Sequence, residues 1–251
     1  MARLWGLLFL TVPVAGTGAF VWASRSGHWF PRNTSSFGAE IDGLFYVILW
    51  ITATAFVATT GLLGWLLLRH AERPGARARY THGNLRVEGT LAALTTGMLL
   101  YIAVTQFGTW KKVKFASGFP DVPTLAHVTA GQFEWRITYP GADGEFGTPD
   151  DVHSLNDFHV PVDRDAVFVL QSRDVLHSFF LPHMRVKQDA VPGLRIPVWF
   201  RPLEEGTFDL VCAELCGWGH FKMRGRLTVQ SPEAFAAWLA QRKAEEEAAN
   251  P

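Results

Sequence analysis

Cysteine is scarce in this chain: 251 residues hold two, and both fall in one short loop. No C-x-x-C-H occurs, which excludes a covalently attached haem c. Net charge is absent as well, with 23 basic against 23 acidic residues, so there is no basic surplus to draw a nucleic acid. Neither an internal repeat nor a phosphate-cradling glycine loop is present.

Charge is also missing locally. Leu4 to Ser24, Gly43 to Leu68 and Gly89 to Trp110 contain no charged residue. About 20 helical residues cross a hydrocarbon core of roughly 30 Å, so each stretch is long enough to span. A buried soluble helix seldom runs that far without a charge, so the second and third read as a two-helix membrane anchor over residues 39–110. Residues 1–24 begin with Arg3 before an apolar run and end in small residues, the pattern of a signal peptide or of one more membrane helix.

The loop at 69–88 carries Arg69, Arg73, Arg77, Arg79 and Arg86 against Glu72 and Glu88. A short arginine-rich loop stays in the cytoplasm, which puts the C-terminal part on the outer side of the membrane. The balance shifts accordingly: residues 1–110 hold eight basic and four acidic side chains, residues 111–251 fifteen and nineteen. The second half reads as a mildly acidic domain in water.

After the tether "KKVKFASGFP" come "HVTAGQFEWRITY", "DFHVPVDRDAVFVLQS", "RIPVWFRP", "GTFDLVCA" and "RGRLTVQ". They are short, rich in β-branched and aromatic residues, and separated by Gly, Pro, Asp or Asn, which predicts an all-β sandwich or barrel over 111–230. Residues 231–251 predict a closing helix with Ser231 as its cap, Phe235 and Trp238 on one face, and an acidic tail. Asp143, Glu145, Asp150 and Asp151 gather among glycines within 143–151. Calcium favours such oxygen-rich turns, but the EF-hand ligand spacing is absent and a solvated hairpin tip is the expectation.

The two cysteines sit in "VCAELCGWGHFKMRG", residues 211–225. In an oxidising compartment two cysteines four apart suggest a disulfide. A disulfide gives no reason for His220 and Met223 to follow at intervals of four and three. Structural zinc has little use for a thioether. Thiolate, imidazole and thioether together form the soft donor set that suits copper. One imidazole does not serve two ions, and His177 in "SRDVLHSFF" could supply a second, although composition alone does not select it among nine histidines.

C-A-E-L-C-G-x-G-H-x-x-M resembles the dinuclear copper A loop of cytochrome c oxidase subunit II. "DVLHSF", "KQDAVPG" and "GTFDLVCAELCG" are similar to that family's flanking stretches, and "EIDGLF" with "HGNLRVE" to its membrane anchor, so the likeness runs over roughly residues 39–242. It implies a membrane-anchored α + all-β chain: a transmembrane helical hairpin, then a cupredoxin-like β-sandwich with a C-terminal helix. It further implies two copper ions bridged by Cys212 and Cys216, with His177 and His220 each on one ion. Met223 would be a weak ligand to one copper and the backbone carbonyl of Glu214 a ligand to the other. The Glu214 carboxylate would help hold magnesium or manganese at the interface with the catalytic subunit.

The same resemblance implies partners. They are the haem–copper catalytic subunit I, further oxidase subunits, membrane lipid, and a c-type cytochrome as electron donor, with Asp174 as a docking residue. The family's electron-accepting aromatic stretch reads G-x-Q-W-x-W, whereas this chain reads "GQFEWR". Phe133 stands where the first tryptophan is expected, and Trp135 keeps the second. The implied function is electron uptake by a terminal oxidase in a bacterial inner membrane, with the copper domain in the periplasm. The copper A subunit of a nitric oxide reductase and a membrane-anchored copper-delivery protein are the alternatives.

Overall fold

The computed structural model describes residues 2–71, 75, 77, 80 and 82–249. Arg73, Arg79 and Glu72 of the arginine-rich loop and the last two residues of the tail lie outside the described residues. Two compact units are formed, one from Met1–Trp29 with Asp42–Gly108, the other from Phe30–Ile41 with Thr109–Pro251.

The first unit is helical. Helices α1 (Ala2–Arg25), α2 (Gly38–Arg69) and α3 (Leu85–Lys114) contain 24, 32 and 30 residues, and each has a stretch long and apolar enough to cross a membrane. Helix α1 meets α2 where glycine removes bulk: a Cβ on Gly64 would press on the Gly6 carbonyl and on Leu10. Small residues at such a crossing bring backbones together in lipid, where packing rather than water drives association. Several threonines in these helices satisfy their hydroxyls internally: Thr52, Thr59, Thr60, Thr95 and Thr105 each donate to the carbonyl four residues earlier. Helix α3 buries none of its residues. Its apolar surface suits lipid or another membrane chain.

The second unit is a β-sandwich of ten strands: β1 (Ala126–Gly131), β2 (Glu134–Tyr139), β3 (Val152–Leu155), β4 (Asp157–Pro161), β5 (Ala166–Ser172), β6 (His177–Leu181), β7 (Val186–Ala190), β8 (Ile196–Phe200), β9 (Gly206–Cys212) and β10 (Arg224–Gln230). One sheet runs β3-β2-β1-β5-β8 and the other β4-β10-β9-β6-β7. Pairing is antiparallel except for β1 with β5 and β4 with β10.

Period-two alternation makes the core. Along β2, Trp135, Ile137 and Tyr139 are buried while Arg136 faces water. Phe158, Phe168 and Phe179 meet between the sheets, Phe168 lying 5.3 Å from Phe158 and 5.0 Å from Phe179 by ring centroid. Helix α4 (Pro232–Ala249) closes the sandwich, and Ser231 caps it by accepting the Ala234 N–H at 3.1 Å. Phe235 and Trp238 of α4 pack on Tyr139 at 5.9 and 5.3 Å.

The segment ahead of α2 is part of the sandwich. Thr34 N–H donates to the His183 carbonyl, Ser36 N–H to the Arg201 carbonyl, and Phe37 is fully buried edge-on to Trp199. The acidic 143–151 segment is the tip joining the antiparallel strands β2 and β3. Its carboxylates serve its own backbone: Asp150 accepts from Ala142 N–H, Asp143 from Glu145 N–H and Asp151 from Gly147 N–H.

Candidate metal centre

Three chain segments converge at one end of the sandwich. Strand β6 begins at His177, β9 ends at Cys212, and the pairing of Phe179 with Cys212 sets these ends side by side. The loop between β9 and β10 then folds back, so that Cys212 N–H donates to the Met223 carbonyl at 3.2 Å. A short 3-10 turn at His220–Lys222 presents His220 and leads into Met223. Gly217, at φ +132°, makes the tight bend that follows Cys216, a conformation costly to any residue with a Cβ.

Both cysteines are free and buried, their sulfurs 3.8 Å apart. His177 Nδ1 lies 4.0 Å from Cys212 Sγ and 3.2 Å from Met223 Sδ. On the other side, His220 Nδ1 is 3.6 Å from Cys216 Sγ, and Met223 Sδ is 3.7 Å from the same sulfur. The Glu214 carbonyl oxygen stands 3.2 Å from Cys212 Sγ. The ligating atoms of His177, Cys212 and Cys216 all fall within 4.8 Å of one another. Donors bonded to a tetrahedral ion at about 2.0–2.3 Å are about 3.3–3.8 Å apart, so these spacings suit metal coordination.

His177 is fully buried and its Nε2 meets Asp174 Oδ1 at 2.8 Å. The other Asp174 oxygen accepts the Gln132 N–H at 2.7 Å. Desolvation pushes the Asp174 carboxyl up, but the hydrogen bonds from His177, Gln132 and Val175 outweigh it and hold it at about 2. Burial, together with the neighbouring Cys212, pushes the Cys216 thiol up to about 11. Without a cation the Cys216 thiolate is therefore disfavoured, and a metal that replaces its proton relieves that.

The aromatic residues separate into an inner and an outer group. Trp135 is fully buried, its ring 6.2 Å from His177 and 5.4 Å from Phe179. Phe133 packs over the metal loop, against Gly217 and Gly219, and meets Trp218 edge-on at 5.5 Å. Two contributors were not legible as site residues from the sequence. Gln132 donates from Nε2 to the Cys216 carbonyl at 2.6 Å, tying the loop to the β1–β2 turn. Trp218, between the two loop glycines, is 80% exposed. Its one sequence signal is an indole where a buried loop would carry something small.

Comparison with known proteins identifies the family. Residues 137–230 match the family model described as cytochrome C oxidase subunit II, periplasmic domain. The alternative cytochrome c oxidase subunit 2 of Bradyrhizobium diazoefficiens is 30% identical, over 90% of this chain and 88% of that protein. Cytochrome c oxidase subunit 2 of Cereibacter sphaeroides is also 30% identical, over 86% of this chain and 80% of that protein. The chain belongs to the cytochrome c oxidase subunit II family. Among solved structures, the periplasmic domain of subunit II of cytochrome oxidase of Bradyrhizobium japonicum is 28% identical, covering 50% of this chain and 97% of that one with a TM-score of 0.45.

The sandwich is thus the cupredoxin-like domain of a membrane-anchored oxidase subunit, and membership implies a catalytic subunit I beside it. The family is copper-binding, and the donor set fits: two sulfurs, two imidazole nitrogens and a thioether, soft and, apart from the half-buried His220, buried. Among the described residues nothing pairs with the Glu214 carboxylate, which is half-buried between the cysteines.

Proposed function

We propose that this subunit accepts electrons from a c-type cytochrome at a dinuclear copper centre and passes them to haem in the catalytic subunit, where oxygen is reduced to water. The observation that carries the reading is the pair of sulfurs 3.8 Å apart, with His177 Nδ1 facing Cys212 and His220 Nδ1 facing Cys216. Cys212 and Cys216 would bridge the two ions, each imidazole holding one. Met223 would be a weak ligand and the Glu214 carbonyl another. Two ions sharing thiolates supply one-electron transfer with little change of geometry.

The chain's own residues keep that geometry fixed. Asp174 holds the His177 ring so that Nδ1 points at the sulfurs, the usual arrangement of a carboxylate behind a metal-bound histidine. Gln132 fixes Asp174 and the Cys216 carbonyl at once. Trp135 fills the inner side and excludes water. Phe133 covers the loop from the other face. Glu214 would reach outward with a carboxylate toward magnesium or manganese; one carboxylate cannot complete an octahedral oxygen site, so water and the catalytic subunit supply the rest.

The arginine-rich 69–88 loop supports a cytoplasmic loop and a periplasmic copper domain in a bacterial inner membrane, with residues 1–24 either a signal peptide or an additional membrane helix. Paramagnetic resonance on the copper-loaded oxidase tests the central claim. One unpaired electron shared over two copper nuclei is expected. One copper per subunit with a single-nucleus pattern would overturn it.

A further inference from the structure

Electron uptake in this family implies an aromatic over the copper loop, and here that position is a phenylalanine. Phe133 does cover the loop, but it is not the outermost ring. Trp218 stands edge-on outside it at 5.5 Å and is 80% exposed, while Phe133 is only part-exposed. Trp218 also lies in the loop itself, two residues from Cys216 and two from His220. An exposed indole in a metal loop, backed by a second aromatic rather than by water, joins the solvent edge to two ligand-bearing residues by a very short stretch of chain.

The surroundings of Trp218 indicate what would touch it. Lys222 Nζ lies 5.7 Å from the Trp218 ring and 5.4 Å from the Phe221 ring, and Phe221 is 69% exposed. Residues 215–223 include no acidic side chain. Asp174, the nearest carboxylate to the ligands, spends both oxygens on His177 and on backbone N–H groups. The stretch from Leu215 to Lys222 around Trp218 is therefore mainly apolar with one lysine, Glu214 beside it being half-buried, which gives a partner that docks through a ring of lysines little to pair with. It suits a cytochrome that presents an apolar haem edge with a neutral or acidic rim.

We infer that Trp218 is the residue through which electrons reach the centre, and that the donor docks on Trp218 and Phe221 chiefly by apolar contact. This rests on the proposed reading of the chain as an electron-accepting oxidase subunit. Such docking predicts an aromatic anchor whose truncation dominates affinity and a weak response to salt, in contrast to charge-steered association.

The test uses the assembled oxidase with two soluble mono-haem c-type cytochromes, one with a basic and one with an acidic docking face. Trp218→Ala should weaken equilibrium binding of the oxidised acidic cytochrome tenfold or more and slow electron transfer from the same cytochrome in its reduced, ferrous form to the copper centre by a similar factor. Trp218→Phe should recover both to within about threefold of the parent. Affinity of the parent for the acidic cytochrome should change less than threefold between 50 and 200 mM salt, on the order of a single charge contact at most. Trp218→Leu, similar in bulk but without a π face, serves if Trp218→Ala disturbs the loop.

Binding and donor rate unchanged within twofold in both truncations would overturn the inference, and so would a clear preference for the basic cytochrome. A slowed copper-to-haem step with an unaltered donor reaction would mean that the catalytic subunit covers Trp218, which also overturns it. None of these outcomes touches the dinuclear copper reading, which fails separately if the parent lacks the shared-electron resonance.

Discussion

His177 turns Nε2 to Asp174 at 2.8 Å, and that hydrogen bond decides which ring nitrogen faces the sulfurs. Nδ1 is left 3.2 Å from Met223 Sδ and 4.0 Å from Cys212 Sγ. Asp174 is thereby placed to act on a bound metal through His177. Asp174→Ala should lower copper affinity about 10–100-fold, the range found when a carboxylate behind a metal-bound histidine is removed. Asp174→Asn, which keeps an acceptor, should lose less. Competition with a copper chelator measures both, and an unchanged affinity in Asp174→Ala would remove the positioning role.

The two sulfurs are not equivalent to the thioether. Each cysteine sulfur stands beside a different imidazole, whereas Met223 Sδ sits off to one side, near His177 and Cys216. Cys216→Ser should abolish the dinuclear resonance, because a bridge is lost. Met223→Leu should leave copper bound and change the potential, since a weak axial thioether tunes a site more than it holds it. Copper analysis with redox titration distinguishes the two outcomes.

Glu214 lies between the cysteines with its carbonyl directed at Cys212 Sγ and its carboxylate unpaired among the described residues. Backbone and side chain are therefore separable. Glu214→Gln should retain full copper while weakening magnesium or manganese in the assembled oxidase. Manganese resonance of the intact complex reads the second effect. Loss of copper instead would show that the loop's fold depends on the carboxylate.

Tyr139 shows how far the sandwich core depends on one hydroxyl. The buried Tyr139 OH donates to the His159 carbonyl at 3.0 Å and accepts the His159 N–H at 2.6 Å. Tyr139→Phe leaves both backbone groups unpaired and should cost about 1–3 kcal/mol. Burial also raises the Tyr139 hydroxyl well above its ordinary range. A raised folded-state value means the unfolded chain gives up this proton first. The corresponding stability is intact below the ordinary tyrosine pKa of about 10 and falls as pH rises beyond it. Thermal melts of the parent and Tyr139→Phe between pH 8 and about pH 11 should therefore converge at the alkaline end.

Much of this was legible in the sequence because it is written in local pattern. Uncharged runs mark helices, alternating apolar residues mark strands, and the spacing of Cys212, Cys216, His220 and Met223 marks a soft metal loop. His177 was different: it lies 35 residues before Cys212, and only the pairing of β6 with β9 brings it to the sulfurs, so resemblance was needed to select it. Residues 30–41 carry too little periodicity to announce that they knit into the sandwich through Thr34, Ser36 and Phe37. Trp218 was hidden for a third reason. A tryptophan is ordinarily read as core, and its exposure is a property of the loop's path.

That exposure bears on the missing tryptophan at position 133. If Trp218 is the outer contact, an indole at 133 would lie behind it and add little to a path that already has an aromatic at the surface. Phe133→Trp should then leave copper binding unchanged and alter the rate with the native donor by less than about threefold, under 1 kcal/mol in barrier. The ring stands against Gly217 and Gly219, and a Cβ on Gly219 would already collide with it, so a larger indole fits better turned outward toward Trp218 than inward. Transient kinetics with flash-reduced donor measures the effect. A gain of tenfold or more would mean that electrons do pass through position 133 and that phenylalanine limits them there.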